Sequence, residues 1–174
     1  MKIIDGLLAE LEQEAETTRR VLERIPQAHL TWKPHPRSMS LGQLALHVAT
    51  VPGNVAELAA VDTTPEPPSF VQPEAASTAE LVPSLTESVA KARRALGGFD
   101  DERMSAPWRL QSRGRDLLAM PRVAFVRAIM LNHWYHHRGQ LLVYLRLLDV
   151  PVPSVYGPTA DENPFAAVAA GATQ

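Results

Sequence analysis

Residues 121–148, PRVAFVRAIMLNHWYHHRGQLLVYLRLL, form an unbroken helical pattern that carries three of the chain's six histidines. The opening proline suits the first turn of a helix, where its missing N–H would have no intrahelical partner. Val123, Val126, Met130, His133, His137, Leu141 and Tyr144 recur at intervals of three and four and so define one core seam. At about 3.6 residues per turn, His133 and His137 leave such a helix on the same side. Two imidazoles on one face are half of a transition-metal site. A seam this long must be covered by other helices, and the rest of the chain supplies three.

The first covers residues 3–24, with Ile4, Leu7, Leu8, Leu11, Ala15, Thr18, Val21, Leu22 and then Ile25 on the apolar side. Its polar face alternates Glu and Arg, and Pro26 stops it. The second opens at the N-cap Ser40 and carries Leu41, Leu44, Ala45, His47 and Val48 in successive turns. Pro52-Gly53 is expected to kink or interrupt it, because proline removes the hydrogen bond to the Val48 carbonyl. Residues 62–76, with four prolines and no helical period, read as a loop. Ser77-Thr78-Ala79-Glu80 resembles a capping box that opens the third helix, residues 79–96, which Gly97-Gly98 ends as residues tolerant of a left-handed cap. Residues 108–110 and 116–118, separated by Ser-Arg-Gly-Arg, are expected to form a short hairpin.

Four amphipathic helices are satisfied by an all-α four-helix bundle, with a long crossover between the second and third helices and the hairpin before the fourth. Residues 1–165 read as a single domain. Residues 151–165 are too proline-rich for helix, and residues 166–174 are expected to be a disordered tail.

Composition narrows the function classes. A formal charge of −2 and a pI near 6.3, with basic residues scattered mostly as pairs, argue against a nucleic-acid footprint. The absence of cysteine excludes disulfides, thiolate nucleophiles and cysteine-type zinc knuckles, so a metal would be held by nitrogen and oxygen. The first residues lack a signal-peptide pattern, and no stretch approaches the roughly 18 apolar residues of a membrane span. A cytoplasmic protein is expected. No nucleophile elbow, phosphate loop, dinucleotide fingerprint or HExxH motif is present.

The histidines carry the remaining signal. A buried imidazole left unpaired costs on the order of 1–3 kcal/mol, so His133 and His137 need either hydrogen bonds from backbone, Gln140 or water, or a metal. His47 lies in the apolar segment LGQLALHVAT and needs a partner from another helix, for which the His133/His137 patch is the candidate. His47, His133 and His137 are therefore the expected metal ligands, in a site that leaves positions open for water or substrate. His136 could replace His137, since i, i+3 also brings side chains together, but the seam turns it about 100° away. Gln43, Gln140 and His136 are candidates for supporting hydrogen bonds. His29 and His35 fall in connectors. Asp161 and Glu162 would be general bases if the tail folded over the site, and otherwise an exposed acidic pair. Gly139 costs roughly 1 kcal/mol of helix stability relative to alanine, which suggests close approach of a helix or subunit there.

LGQLALHVA around His47, the element His133-x3-His137-Arg138-Gly139-Gln140 and the segment LLVYLRLLDVPVPSVYGPTADE together resemble the DinB-like (YfiT-like) family of bacterial proteins. So do LxxExxxTRRVLERIP and WKPHPRSMSLGQLALH nearer the N-terminus, and the resemblance covers nearly the whole chain. It implies a four-helix bundle, often a homodimer, with a divalent metal, commonly zinc or nickel, on three histidines that map onto His47, His133 and His137. The family includes bacillithiol S-transferases and a mycothiol-dependent maleylpyruvate isomerase, so the resemblance also implies a small thiol as a co-substrate. On three neutral histidines a divalent ion would keep its charge and lower the pKa of a bound water or thiol. A thiol transferase or a hydrolase is the expected enzyme; the alternative is a non-catalytic metal-binding or stress-response bundle with a structural site.

Overall fold

The first helix, α1 (Ile3–Leu22), buries the expected stripe of Ile4, Leu7, Leu11, Thr18, Val21 and Leu22, together with Glu14, a residue of its polar-looking face. The computed structural model describes residues 1–67 and 71–166; the expected disordered tail lies, beyond Ala166, outside the described residues. The chain is a helical bundle with a small sheet.

Ser40 caps α2 (Leu41–Ala60) as expected: its hydroxyl accepts from the Gln43 N–H at 3.1 Å, and Gln43 Oε1 accepts from the Ser40 N–H at 2.9 Å. Of the kink or interruption expected at Pro52-Gly53, the interruption does not occur: α2 runs through both residues. Three backbone groups around the proline find partners on other helices. The Val48 carbonyl accepts from Trp134 Nε1 at 2.7 Å. The Gly53 N–H donates to Ser88 Oγ at 2.8 Å, and that hydroxyl donates to the Thr50 carbonyl at 3.1 Å. Gly53 also lets α2 approach closely, since a Cβ there would lie 2.8 Å from the Ser88 carbonyl oxygen and 3.0 Å from its Cα. Both are backbone atoms and cannot swing aside. Gly53→Ala is therefore expected to destabilise by about 1–3 kcal/mol, and denaturant unfolding checks it; an unchanged midpoint would refute the close approach.

The crossover contains a short strand, β1 (Thr63–Thr64), which its proline content concealed. Further along, the crossover is pinned to the start of α2. Gln43 Nε2 donates to the Gln72 carbonyl at 3.1 Å, the Ser40 hydroxyl donates to Glu74, and the Ala75 N–H reaches the Gly42 carbonyl at 3.4 Å. The Ser77–Glu80 box opens a 3-10 turn that leads into α3 (Leu81–Leu96). The left-handed cap expected after it is absent: Gly97 has φ −63°, and the Phe99 N–H closes a tight turn on the Leu96 carbonyl at 3.0 Å instead.

A short helix, α4 (Asp101–Ser105), precedes the expected hairpin of β2 (Pro107–Ser112) and β3 (Arg115–Pro121). Arg113 and Gly114 form its tip at φ 50° and 75°. Two successive positive φ values mark the two-residue turn whose twist matches that of antiparallel strands. The sheet order is β1-β2-β3, with β1 parallel and β3 antiparallel to β2.

The fourth helix is continuous but not uniform. It starts as α5 (Arg122–Phe125), widens into a π segment (Val126–Asn132) and resumes as α6 (His133–Leu147). In a regular helix four residues overshoot a full turn by about 40°, so a run of four-residue steps drifts around the axis. The wider π turn offsets that drift and keeps Val126, Met130, Trp134 and Arg138 on the fully buried side, followed by Leu141 and Leu145. His133 and His137 lie beside this seam and are half-buried. The expectation that they share the innermost face is corrected accordingly: the π segment turns Trp134 and Arg138 into the core and leaves the two imidazoles at its edge.

Arg138 is only 1% exposed. It donates to the Glu14 carboxylate at 2.5 Å, the Glu14 carbonyl at 3.1 Å, Thr18 Oγ1 at 3.0 Å and the Tyr156 hydroxyl at 2.6 Å. Tyr156 in turn donates to the Glu14 carboxylate at 3.0 Å. The element after α6 thus crosses back over α1 and α6 and is clamped there. Gly139 is not at a helix contact among the described residues, because a Cβ built there meets nothing within 4 Å.

Candidate metal centre

Two helices bring three imidazoles together. His47 comes from the middle of α2, and His133 and His137 from the first turns of α6. One ring nitrogen from each lies within 4.8 Å of the others. His47 Nε2 and His133 Nε2 are 3.2 Å apart. Two nitrogens bound to one tetrahedral zinc at about 2.0–2.1 Å would be about 3.3 Å apart, so this pair already stands at ligand spacing. The rings are nearly perpendicular to one another, at 85°, 88° and 84°, and so do not stack.

Their protonation suits a cation. Burial, reinforced by the neighbouring imidazoles His137 and His133, pushes His47 down to about 4. Burial also lowers His133 and His137, in each case with a smaller contribution from nearby histidine charge. Near neutral pH the site therefore presents uncharged rings with lone pairs available. Orientation is set from outside the triad. His137 Nδ1 lies 2.8 Å from Gln140 Oε1, a contact in which Nδ1–H donates to the amide oxygen and the Nε2 lone pair is left free. The Gln72 side chain lies beside His47 and acts weakly against the downward shift that burial imposes. Together, the spacing, the neutral donors and the held tautomer fit a divalent ion.

The other candidates are placed elsewhere. His136 is exposed, with its ring centroid 5.0 Å from that of His137, and does not join the converging set. The hydrogen bonds of Gln43 go elsewhere: it caps α2 and holds the Gln72 backbone, beside the side chain that neighbours His47. His29 and His35 are exposed in the connector. Asp161 pairs with Arg146 and Glu162 with Arg20, and each also accepts a backbone N–H, from Val152 and Ser154. These pairs fasten the tail to α6 and α1 and leave neither carboxylate in the histidine cluster. Gln72 escaped sequence reasoning because it sits in an aperiodic, proline-rich stretch; its only signal was being a lone amide there.

This arrangement occurs in a chain whose residues 2–164 match the model of the DinB family. The chain belongs to the DinB family. Among its relatives is the uncharacterised protein YrdA of Bacillus subtilis, 24% identical over 162 residues and aligned over 91% of each chain. A DinB-like protein from Bacillus cereus superposes with a TM-score of 0.68 at 25% identity, covering 88% of this chain and 97% of that one. A second DinB-like protein, YjoA of Bacillus subtilis, has a TM-score of 0.63 at 18% identity over 91% of this chain and 99% of its own. In this DinB-family bundle, no described helix is long and apolar enough to cross a membrane.

If the supporting bond matters to the triad, Gln140→Leu is expected to weaken zinc binding about 10–100-fold with little change in metal-free stability. Competition with a chromophoric chelator measures this, and wild-type affinity in that variant would remove Gln140 from the site.

Proposed function

We propose that this DinB-family chain is a divalent-metal enzyme, with zinc or nickel held by His47, His133 and His137, that transfers a small thiol or hydrolyses a small molecule. The observation that carries the reading is the composition of the cluster. Three neutral nitrogens converge, and among the described residues no further histidine, cysteine, aspartate or glutamate joins them. Structural zinc sites are closed by four protein ligands, whereas catalytic ones keep a position free. A divalent ion here would supply the positive charge that favours deprotonation of a water or thiol. The residues would supply the rest: Gln140 holds the Nδ1 side of His137 so that its Nε2 is free for the ion, and the partial burial of the rings keeps them uncharged. The chain's lack of cysteine means that a thiol in the reaction must enter with the substrate.

Elemental analysis of purified protein, followed by turnover assays with small thiols and hydrolytic substrates before and after chelation, tests the proposal. Turnover is expected to vanish on chelation, return with added metal and be absent from His133→Ala. Activity that survives complete demetallation would overturn the enzyme reading. Stoichiometric metal with a saturated protein coordination sphere and no exchangeable water would favour a structural site instead.

A further inference from the structure

Pro52 sits in the middle of α2 with no N–H to offer the Val48 carbonyl, yet the helix continues to Ala60. The missing donor comes from the fourth helix. Trp134, a side chain with no exposed surface, donates from Nε1 to that carbonyl at 2.7 Å. Each end of the bond is one residue from a site histidine: His47 precedes Val48 on α2, and His133 precedes Trp134 on α6. The two histidines meet at 3.2 Å.

We infer that Trp134 is a positioning residue for the histidine centre: its indole N–H, docked on the carbonyl that Pro52 leaves free, sets the register of α2 against α6 and thereby holds His47 beside His133. This rests on the metal-site reading above. A mid-helix carbonyl is ordinarily taken by the N–H four residues on, so a proline at that place opens an acceptor that a neighbouring helix can address. The direction of such a bond matters because the packing around it cannot do the same work. The α2 surface here is Leu44, Ala45, Val48 and Ala49, all fully buried, and apolar burial is non-directional. Sliding one helix by a single residue moves its side chains about 1.5 Å, whereas coordination distances hold to within about 0.2 Å. A fixed donor–acceptor pair one residue from each ligand supplies that precision. The second repair of the proline turn, through Ser88, ties α2 to α3; a longer bond from Tyr144 on α6 to the Met39 carbonyl, 3.3 Å, holds the entry to α2, and Trp134 is the tie beside the histidines. Another polar tie between α2 and the fourth helix, Arg122 to the Ala59 carbonyl, lies about three turns beyond His47.

The test separates positioning from stability. Trp134→Phe removes the donor and orphans the Val48 carbonyl; adding Pro52→Ala returns a backbone N–H to that carbonyl without restoring the interhelical bond. Zinc affinity and metal-free melting temperature are measured for the wild type, Trp134→Phe and Pro52→Ala/Trp134→Phe, with the visible spectrum of the cobalt-loaded proteins as a readout of ligand geometry. Trp134→Phe is expected to lower both the melting temperature and the affinity. The double variant is expected to recover much of the melting temperature while its zinc affinity stays about tenfold or more below wild type and its cobalt spectrum stays altered. Affinity that recovers along with stability, or wild-type affinity in Trp134→Phe, would overturn the inference. Should Trp134→Phe fail to fold, 3-benzothienylalanine at position 134, of similar shape but without the donor, gives the same comparison. A wild-type chain that takes up neither zinc, nickel nor cobalt would overturn the site reading and this inference together, an outcome distinct from a metal-binding wild type with unaffected variants.

Discussion

Zinc at about a thousandfold over its dissociation constant is expected to raise the unfolding free energy of the wild-type chain by about 4 kcal/mol, and that of His47→Ala by far less. A ligand that binds the folded state alone stabilises it by mass action, and this triad exists only in the folded state. His47 and His133 are 86 residues apart in sequence and meet across two helices. In the unfolded chain only the His133/His137 pair remains local, and then only while its helix is formed. His47→Ala leaves both ligands on α6 and removes the one that spans the helix pair. Its metal-free stability should change by about 1 kcal/mol or less, because His47 stands at the edge of the core and alanine is the stronger helix former. Calorimetric melts with zinc and with chelator check both halves of the prediction. Equal zinc-induced shifts in the two proteins would sink the assignment of His47 as a ligand.

Arg138→Met is expected to destabilise the fold by about 3–5 kcal/mol and to lower its melting temperature by roughly 10 °C, without depending on metal. The guanidinium is the charge partner of Glu14, whose carboxylate is almost wholly withdrawn from water. Taking it away strands a buried anion with the Tyr156 hydroxyl as its remaining side-chain donor. It also orphans Thr18 Oγ1 as an acceptor and loosens the tail that Tyr156 secures. The reciprocal experiment is informative. Glu14→Leu/Arg138→Met replaces the pair with apolar groups of similar bulk, and such exchanges are often neutral or stabilising, so the double variant should recover most of the loss. Urea unfolding of the two single variants and the double gives the coupling directly. A loss below about 1 kcal/mol in Arg138→Met would mean that water reaches Glu14 freely and that the pair is not a core element.

The parts of this fold that could be read from residues alone share a short range. The cap at Ser40, the Ser77–Glu80 box and the Arg113-Gly114 turn each depend on atoms within a few residues of one another. The same holds for the two imidazoles at i and i+4, while an isolated histidine in an apolar helix made His47 a candidate for the same cluster. What escaped the reading was long-range or disguised. Glu14 lies in an alternating Glu/Arg pattern that looks solvated, and Arg138 follows a histidine in a polar run. Only their meeting across α1 and α6 makes each of them core. The π segment has no local signature, and it decides that Trp134 and Arg138, not the histidines, take the innermost positions. Gly139, where close approach of a helix or subunit was expected, meets no other described residue of the chain within 4 Å of a built Cβ.

Sequence by itself determined four helices, the N-terminal caps at Ser40 and Ser77, the hairpin and a set of histidines able to share a face, since helical period and capping chemistry act over a turn or two. It also exposed an unpaired carbonyl at Val48 without saying what would pair it. Tertiary structure alone decided that Trp134 answers that carbonyl, that Gln72 reaches His47 and that Glu14 balances Arg138. Those contacts depend on the rotation and register of helices far apart in the chain. A one-residue slide of about 1.5 Å would break each of them while leaving every local preference satisfied.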